Sequence, residues 1–239
     1  MFRILVFLCL AGCATMRADT DELSYMHAGD FDIAFTQRIT DSAAPIHIYI
    51  EGDGHAFNGH GLPTRDPTPR NMFMRHMAAR DASPNVAYIA RPCQFAMSPT
   101  CSVTDWTSGR FSARVIDAMA DVVRTIAKNR PVILVGYSGG AMISGLIIGR
   151  NPDIDVKKWI TVAGVLNHAA WTEYFGDTPL SGSLSMDALP RIPMRHYVAA
   201  RDTVVPKEIT MAIAPAETVT IVPGATHNNF PNLELDFSI

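Results

Sequence analysis

The sequence is short of charge. Asp, Glu, Lys and Arg make up 18% of its 239 residues and the net charge is −3. Nowhere do Lys and Arg form a run able to neutralise a row of phosphates, so nucleic acid is not an expected partner. Cysteine is scarce too, four in all, and no second Cys/His pair at zinc spacing accompanies any of them, so neither a metal nor a cofactor is expected. There is no internal repeat and no low-complexity segment. The apolar run Ile4–Leu10 is too short to cross a bilayer as a mature helix. What is present is 48% hydrophobic, the profile of one globular domain with a sizeable core.

Arg3 precedes the run Ile4–Leu10, which ends in Leu10-Ala11-Gly12-Cys13. A charged start, a short apolar stretch and a small-residue exit read as a signal peptide over residues 1–12. The exit resembles the lipobox of bacterial lipoproteins, in which the thiol is diacylated and the chain is cut before it. That resemblance implies Cys13 as the lipidated first residue of the mature protein. Two or three acyl chains would hold it firmly to a bilayer in the bacterial cell envelope, facing the periplasm. A buried N-terminal element with an incidental cysteine is the alternative. Residues 13–30 then form a polar, aperiodic, lipidated tether and residues 31–239 the domain. Cys93 and Cys101 lie eight positions apart in a Pro-rich loop, and such a compartment permits a disulfide between them.

Along the domain, short β-rich runs alternate with helical periodicity. Phe31–Thr40 reads as an edge strand and Ile46–Ile50 as a central one, ended by Gly52 and Gly54. A helix is expected within Thr68–Asp81, a strand at Asn85–Ala90, and an amphipathic helix over residues 110–128 from the spacing of Val115, Ile116, Met119, Val122, Val123 and Ile126. Val132–Val135 is a continuous apolar strand, Ala141–Ile148 an apolar helix, and Trp159–Ala163, Met194–Ala200 and Thr218–Val222 are further strands. Strand and helix alternating in this way need crossover connections. The expected fold is therefore α/β, a three-layer α/β/α sandwich around a mostly parallel sheet. Residues 165–193 are rich in Gly, Ser, Pro and aromatics and read as a short lid.

Gly136-Tyr137-Ser138-Gly139-Gly140 joins the strand at Val132–Val135 to the next helix. A serine at a sharp strand-to-helix turn projects its hydroxyl above the sheet, and small residues two positions either side avoid a collision. No Gly-Lys-Ser/Thr follows, as a phosphate loop would require. A serine hydroxyl needs a base to take its proton, and a base needs an acid to fix its tautomer. His227 ends the turn Pro223-Gly224-Ala225-Thr226 after the final strand, whereas His168 falls in the lid and His196 inside a strand. Asp202 follows the strand Met194–Ala200 at its carboxyl end, where crevices in open α/β sheets lie. A surface-turn or helix-capping role is its alternative. The Gly139 N–H can donate to a developing oxyanion, and the second donor is expected in Glu51-Gly52-Asp53-Gly54, with the Asp53 N–H first choice. The Asp53 carboxylate must then point away or be hydrogen-bonded.

From Ile46 to His227 the sequence resembles the α/β-hydrolase superfamily. The segments Ala163–Thr172, Pro179–Leu184, Cys93–Cys101 and Trp106–Phe111 are similar to a group of proteobacterial hydrolases. The resemblance implies hydrolysis of a small-molecule carboxylic ester through an acyl-enzyme, with Ser138, Asp202 and His227 catalytic and Gly139 and Asp53 forming the oxyanion hole. An acyltransferase or peptidase using the same three residues, and a non-catalytic lipoprotein, are the alternatives. Two positions depart from the pattern: Glu51 stands where relatives carry the histidine of a His-Gly turn, and Asn167 where an aspartate is expected.

Overall fold

In the computed structural model, which describes residues 22–239, the apolar runs become strands of a single sheet. They are β1 (Ser24–Ala28), β2 (Phe31–Ile39), β3 (Ile46–Ile50), β4 (Asn85–Ile89), β5 (Val132–Tyr137), β6 (Val156–Val162), β7 (Met194–Ala199) and β8 (Val219–Val222). Their spatial order is β1-β2-β4-β3-β5-β6-β7-β8. The pairs β1/β2 and β2/β4 are antiparallel and all the others parallel. The helices are α1 (Phe73–Arg80), α2 (Ala113–Ala127), α3 (Gly139–Arg150), α4 (His168–Phe175) and α5 (Lys207–Met211). Among the described residues no helix is long and apolar enough to cross a membrane.

The central strands are buried along their whole length, so alternate residues feed two separate cores. Ile46, Ile48, Ile50, Val132 and Leu134 pack with α2 and α3 on one face. Tyr49, Ile133, Val135 and Tyr137 pack with Met74 and Ala78 of α1 on the other. The periodic apolar positions of α2 are all buried, each contributing about 1.5–3 kcal/mol relative to exposure. That helix ends where Lys128 turns into the left-handed region at φ 49°. The mostly parallel three-layer arrangement is the one expected.

Three features differ from expectation. Residues 24–28 are not tether but β1, whose mostly exposed side chains carry no apolar alternation and which is held by the β2 ladder alone. The domain therefore begins before residue 31, and β2 lies between β1 and β4 instead of at the edge. The first helix, Phe73–Arg80, falls within the expected stretch, with Thr68–Asn71 in the loop before it. Residues 165–193 do not stand apart as a lid. Leu184, Met186, Leu189 and Ile192 pack back onto the core of α2 and α3. Ser183 fastens that return, its Oγ accepting from Phe111 N–H at 3.1 Å and donating to Ser108 O at 2.8 Å. The signal peptide at 1–12 and Cys13 lie outside the described residues.

Candidate active site

Strand β5 ends in Tyr137, and the chain turns into α3 through Ser138, which sits at φ 50°, ψ −122°. A non-glycine residue there is strained and persists only where its surroundings over-determine it. Here they do. Ser138 N–H donates to Val162 O at 3.1 Å, and its carbonyl accepts from Ala141 and Val165 N–H at 3.1 and 3.0 Å. A Cβ on Gly136 would come within 2.5 Å of Gly140 O, and one on Gly140 would meet Glu51 O at 2.5 Å. Glycine at both ends of the elbow is thus a matter of space.

The turn brings Ser138 to His227, with 3.1 Å between Oγ and Nε2. On the far side of the ring, Nδ1 lies 2.9 Å from Asp202 Oδ2 and 3.1 Å from Oδ1. All three residues are at most 9% exposed. Asp202 is fixed in turn, its Oδ1 accepting from the N–H groups of Val204 and Val205 at 2.8 and 2.9 Å. The His227 loop is held by Tyr137, whose hydroxyl donates to His227 O at 3.2 Å and to Asn228 Oδ1. The other two histidines weighed are elsewhere. His168 packs on Phe111 with Nε2 at Leu184 O, and His196 lies between Thr161 and Trp159, its pKa pushed down to about 4 by burial.

A cleft of about 340 Å³ opens over Ser138, lined by Glu51, Asp53, Arg110, Val165, Trp171 and His227 among others. Of the expected oxyanion donors, Asp53 borders this cleft and Gly139 starts α3 beside Ser138. Neither N–H has a partner among the described residues. The Asp53 side chain does not turn away. Arg91 donates to its Oδ1, and Arg110 to its Oδ2 at 2.5 Å. Burial pushes the Asp53 carboxyl up, but the two guanidiniums, Arg110 foremost, outweigh it and hold it below the ordinary carboxylate range. Both arginines are 3% exposed. Neither arginine is marked by a motif, although Arg91 stands just past the carboxyl end of β4, a position like that of Asp202 after β7.

Glu51 is buried at 1% exposure and closes the back of the cleft. Its Oε1 accepts from Gly52 N–H and its Oε2 from Tyr88 OH, both at 2.9 Å. Burial pushes its carboxyl up to about 7, against those hydrogen bonds and the attraction of Arg91. Asn167, the other departure, is the N-cap of α4, accepting from Ala169 and Ala170 N–H at 2.9 and 3.0 Å. An aspartate would do the same work, so this departure leaves the cleft unchanged. Cys93 and Cys101 form a disulfide. A second cleft, of about 760 Å³ between α1 and the C-terminal segment, shares the walls Asn71 and Asn228 with the first but lacks Ser138.

No protein-family model and no curated protein matches this sequence. Solved structures do match over most of the chain. An α/β serine hydrolase homologue from Coxiella burnetii superimposes with a TM-score of 0.57 at 17% identity, over 87% of this chain and 90% of its own. An α/β serine hydrolase without lid from Xanthomonas campestris gives 0.53 at 15%, over 86% of each chain. The fold is that of the α/β-hydrolases. A serine hydrolase from Cycloclasticus zankles gives 0.52 at 11%, over 86% of this chain and 90% of its own. Within the α/β-hydrolase fold, the Ser138 elbow occupies the carboxyl end of the central strand β5, between the strand ends that carry the Asp53 turn and Asp202.

Proposed function

We propose that this chain is a serine hydrolase cleaving carboxylic esters of small or medium acyl groups in the bacterial cell envelope. The observation that carries the reading is the continuous line from Ser138 Oγ through His227 to Asp202, at 3.1 and 2.9 Å. In this reading His227 Nε2 takes the hydroxyl proton as Oγ attacks the ester carbonyl. The Gly139 and Asp53 N–H groups hold the resulting oxyanion. His227 then returns its proton to the departing alkoxide, and a water repeats the sequence on the acyl-enzyme. The two arginines on Asp53 support this assignment, because they offset a carboxylate that would otherwise oppose the oxyanion. The modest cleft volume favours a small acyl group.

A fluorophosphonate probe tests the nucleophile: the native protein is expected to label and Ser138→Ala is not. Equal labelling of both, or none of either, removes Ser138 from the role. A series of p-nitrophenyl esters of rising chain length, set beside p-nitroanilides, sizes the pocket and separates ester from amide cleavage. The envelope location rests on Leu10-Ala11-Gly12-Cys13. Cys13→Ser is expected to move the protein from the membrane to the soluble fraction, and unchanged fractionation would sink the anchor.

A further inference from the structure

The cleft over Ser138 does not end at Trp171. A second space of about 390 Å³ adjoins it, lined by Gly61, Thr107, Ser108, Thr172 and Asp177–Leu180, and the two share three walls: Phe57, Arg110 and Trp171. Arg110 is thus a buried cation at the divide between two cavities. Its guanidinium carbon lies 5.3 Å from the Phe57 ring centre and 5.8 Å from that of Trp171, bracketed by aromatic faces that fix its plane.

Its hydrogen bonds are incompletely used. Nε donates to Thr107 O at 2.7 Å and Nη1 to Asp53 Oδ2 at 2.5 Å. Nη2 has no partner among the described residues, although the side chain is 4% exposed. Nη2 is not among the fully buried unpaired atoms, so it meets cavity solvent and is a free cationic donor whose water a ligand can displace. The local charge points the same way. Arg91 and Arg110 share the single carboxylate of Asp53, and Arg70 adds a third guanidinium at the cleft rim, against Glu51 on the cleft wall and Asp202 behind His227. At neutral pH burial keeps a large share of Glu51 protonated, so it does not cancel the excess. Asp177 sits in the adjoining space, away from Ser138.

The geometry points to Arg110 as a specificity-determining residue that binds a carboxylate carried by the ester substrate, making the protein a hydrolase of monoesters of dicarboxylic acids or similar anionic esters. The inference rests on the serine hydrolase reading above and adds the chemical class of its substrate. A carboxylate oxygen can accept from a free N–H of Nη2, and held there in a site walled by rings it forms a charge-assisted hydrogen bond. The reacting ester then lies towards Ser138, with the anionic end at the divide.

The test compares two substrates of one shape: monomethyl glutarate and methyl pentanoate, which differ by a terminal carboxylate in place of a methyl, followed by acid release in a pH-stat. The native protein is expected to favour the glutarate about tenfold or more in kcat/KM, mostly through KM. Arg110→Gln is expected to lose that preference and Arg110→Lys to keep part of it. Each preference is a ratio within one preparation, so any loss of folded protein cancels. Where the native protein labels with fluorophosphonate but turns over neither ester, the slowing of labelling by each ester supplies the same comparison. Labelling without a preference for the anion, or a preference that survives Arg110→Gln, overturns the inference and leaves the hydrolase reading standing. Absence of labelling overturns both.

Discussion

Replacing Glu51 by glutamine should make the protein more stable at high pH than at low pH relative to the native chain. The native carboxyl is pushed up to about 7 by burial, whereas an ordinary glutamate titrates at 4.5. Below the lower value the native and unfolded chains both hold the proton and nothing is lost. As pH rises between the two values, the unfolded chain gives up its proton while the native one retains it, so stability falls with pH. The full difference corresponds to about 3 kcal/mol, most of which falls between pH 5 and pH 8. Glutamine can still accept from Gly52 N–H and carries no titrating proton, so that fall is absent from the variant. Other effects of the substitution, including a reoriented Tyr88 hydroxyl, are independent of pH and cancel in the comparison. Urea unfolding at the two pH values reads the effect directly. With a slope near 2.5 kcal/mol per molar, the midpoint of Glu51→Gln relative to native should rise by about 1 M from pH 5 to pH 8. A difference between the two proteins that is constant with pH, or that shrinks as pH rises, refutes the argument from burial.

Three further outcomes are expected. Asp202→Asn keeps its carbonyl on the Val204 and Val205 N–H groups and turns its amide towards His227 Nδ1; this places the ring proton on Nε2, so ester turnover should drop about 10⁴-fold with the fold intact by circular dichroism. Asn167→Ala removes the cap of α4 and should cost about 1 kcal/mol in denaturant unfolding, while Asn167→Asp restores most of it; equal stability of all three would show that the cap contributes nothing. Reducing the Cys93–Cys101 bond frees a loop of eight-residue separation and should lower stability by about 2.5 kcal/mol, seen as a lower thermal midpoint in dithiothreitol that a Cys93→Ala, Cys101→Ala double variant does not show.

The parts of the fold legible in the sequence are those where local pattern and burial agree. In β5 every residue is buried, so the run is apolar without a break, and the glycine elbow after it leaves a motif in one stretch of five residues. Asp202 and His227 were legible as neighbours of Ser138 because each follows a parallel strand at the same end of the sheet. Strand β1 was not, since its side chains are largely exposed and its existence depends on pairing with β2, from Ser24 opposite Phe35 to Ala28 opposite Phe31. The arginine pair on Asp53 was hidden for another reason: its members lie 38 and 57 positions away in the chain, and nothing local marks either as buried. Glu51 stood out as a departure, yet its environment depends on Tyr88, 37 positions on in the neighbouring strand.

Arg91, which holds Asp53, is separated from Cys93 by one residue, Pro92. The disulfide therefore reaches the cleft as well as the fold. A newly made chain with free thiols carries the same serine, histidine and aspartate, but the loop that supplies one of the two hands on Asp53 is not yet tied down. The same covalent bond that closes the loop thus limits how far the Arg91 guanidinium can stray from Asp53.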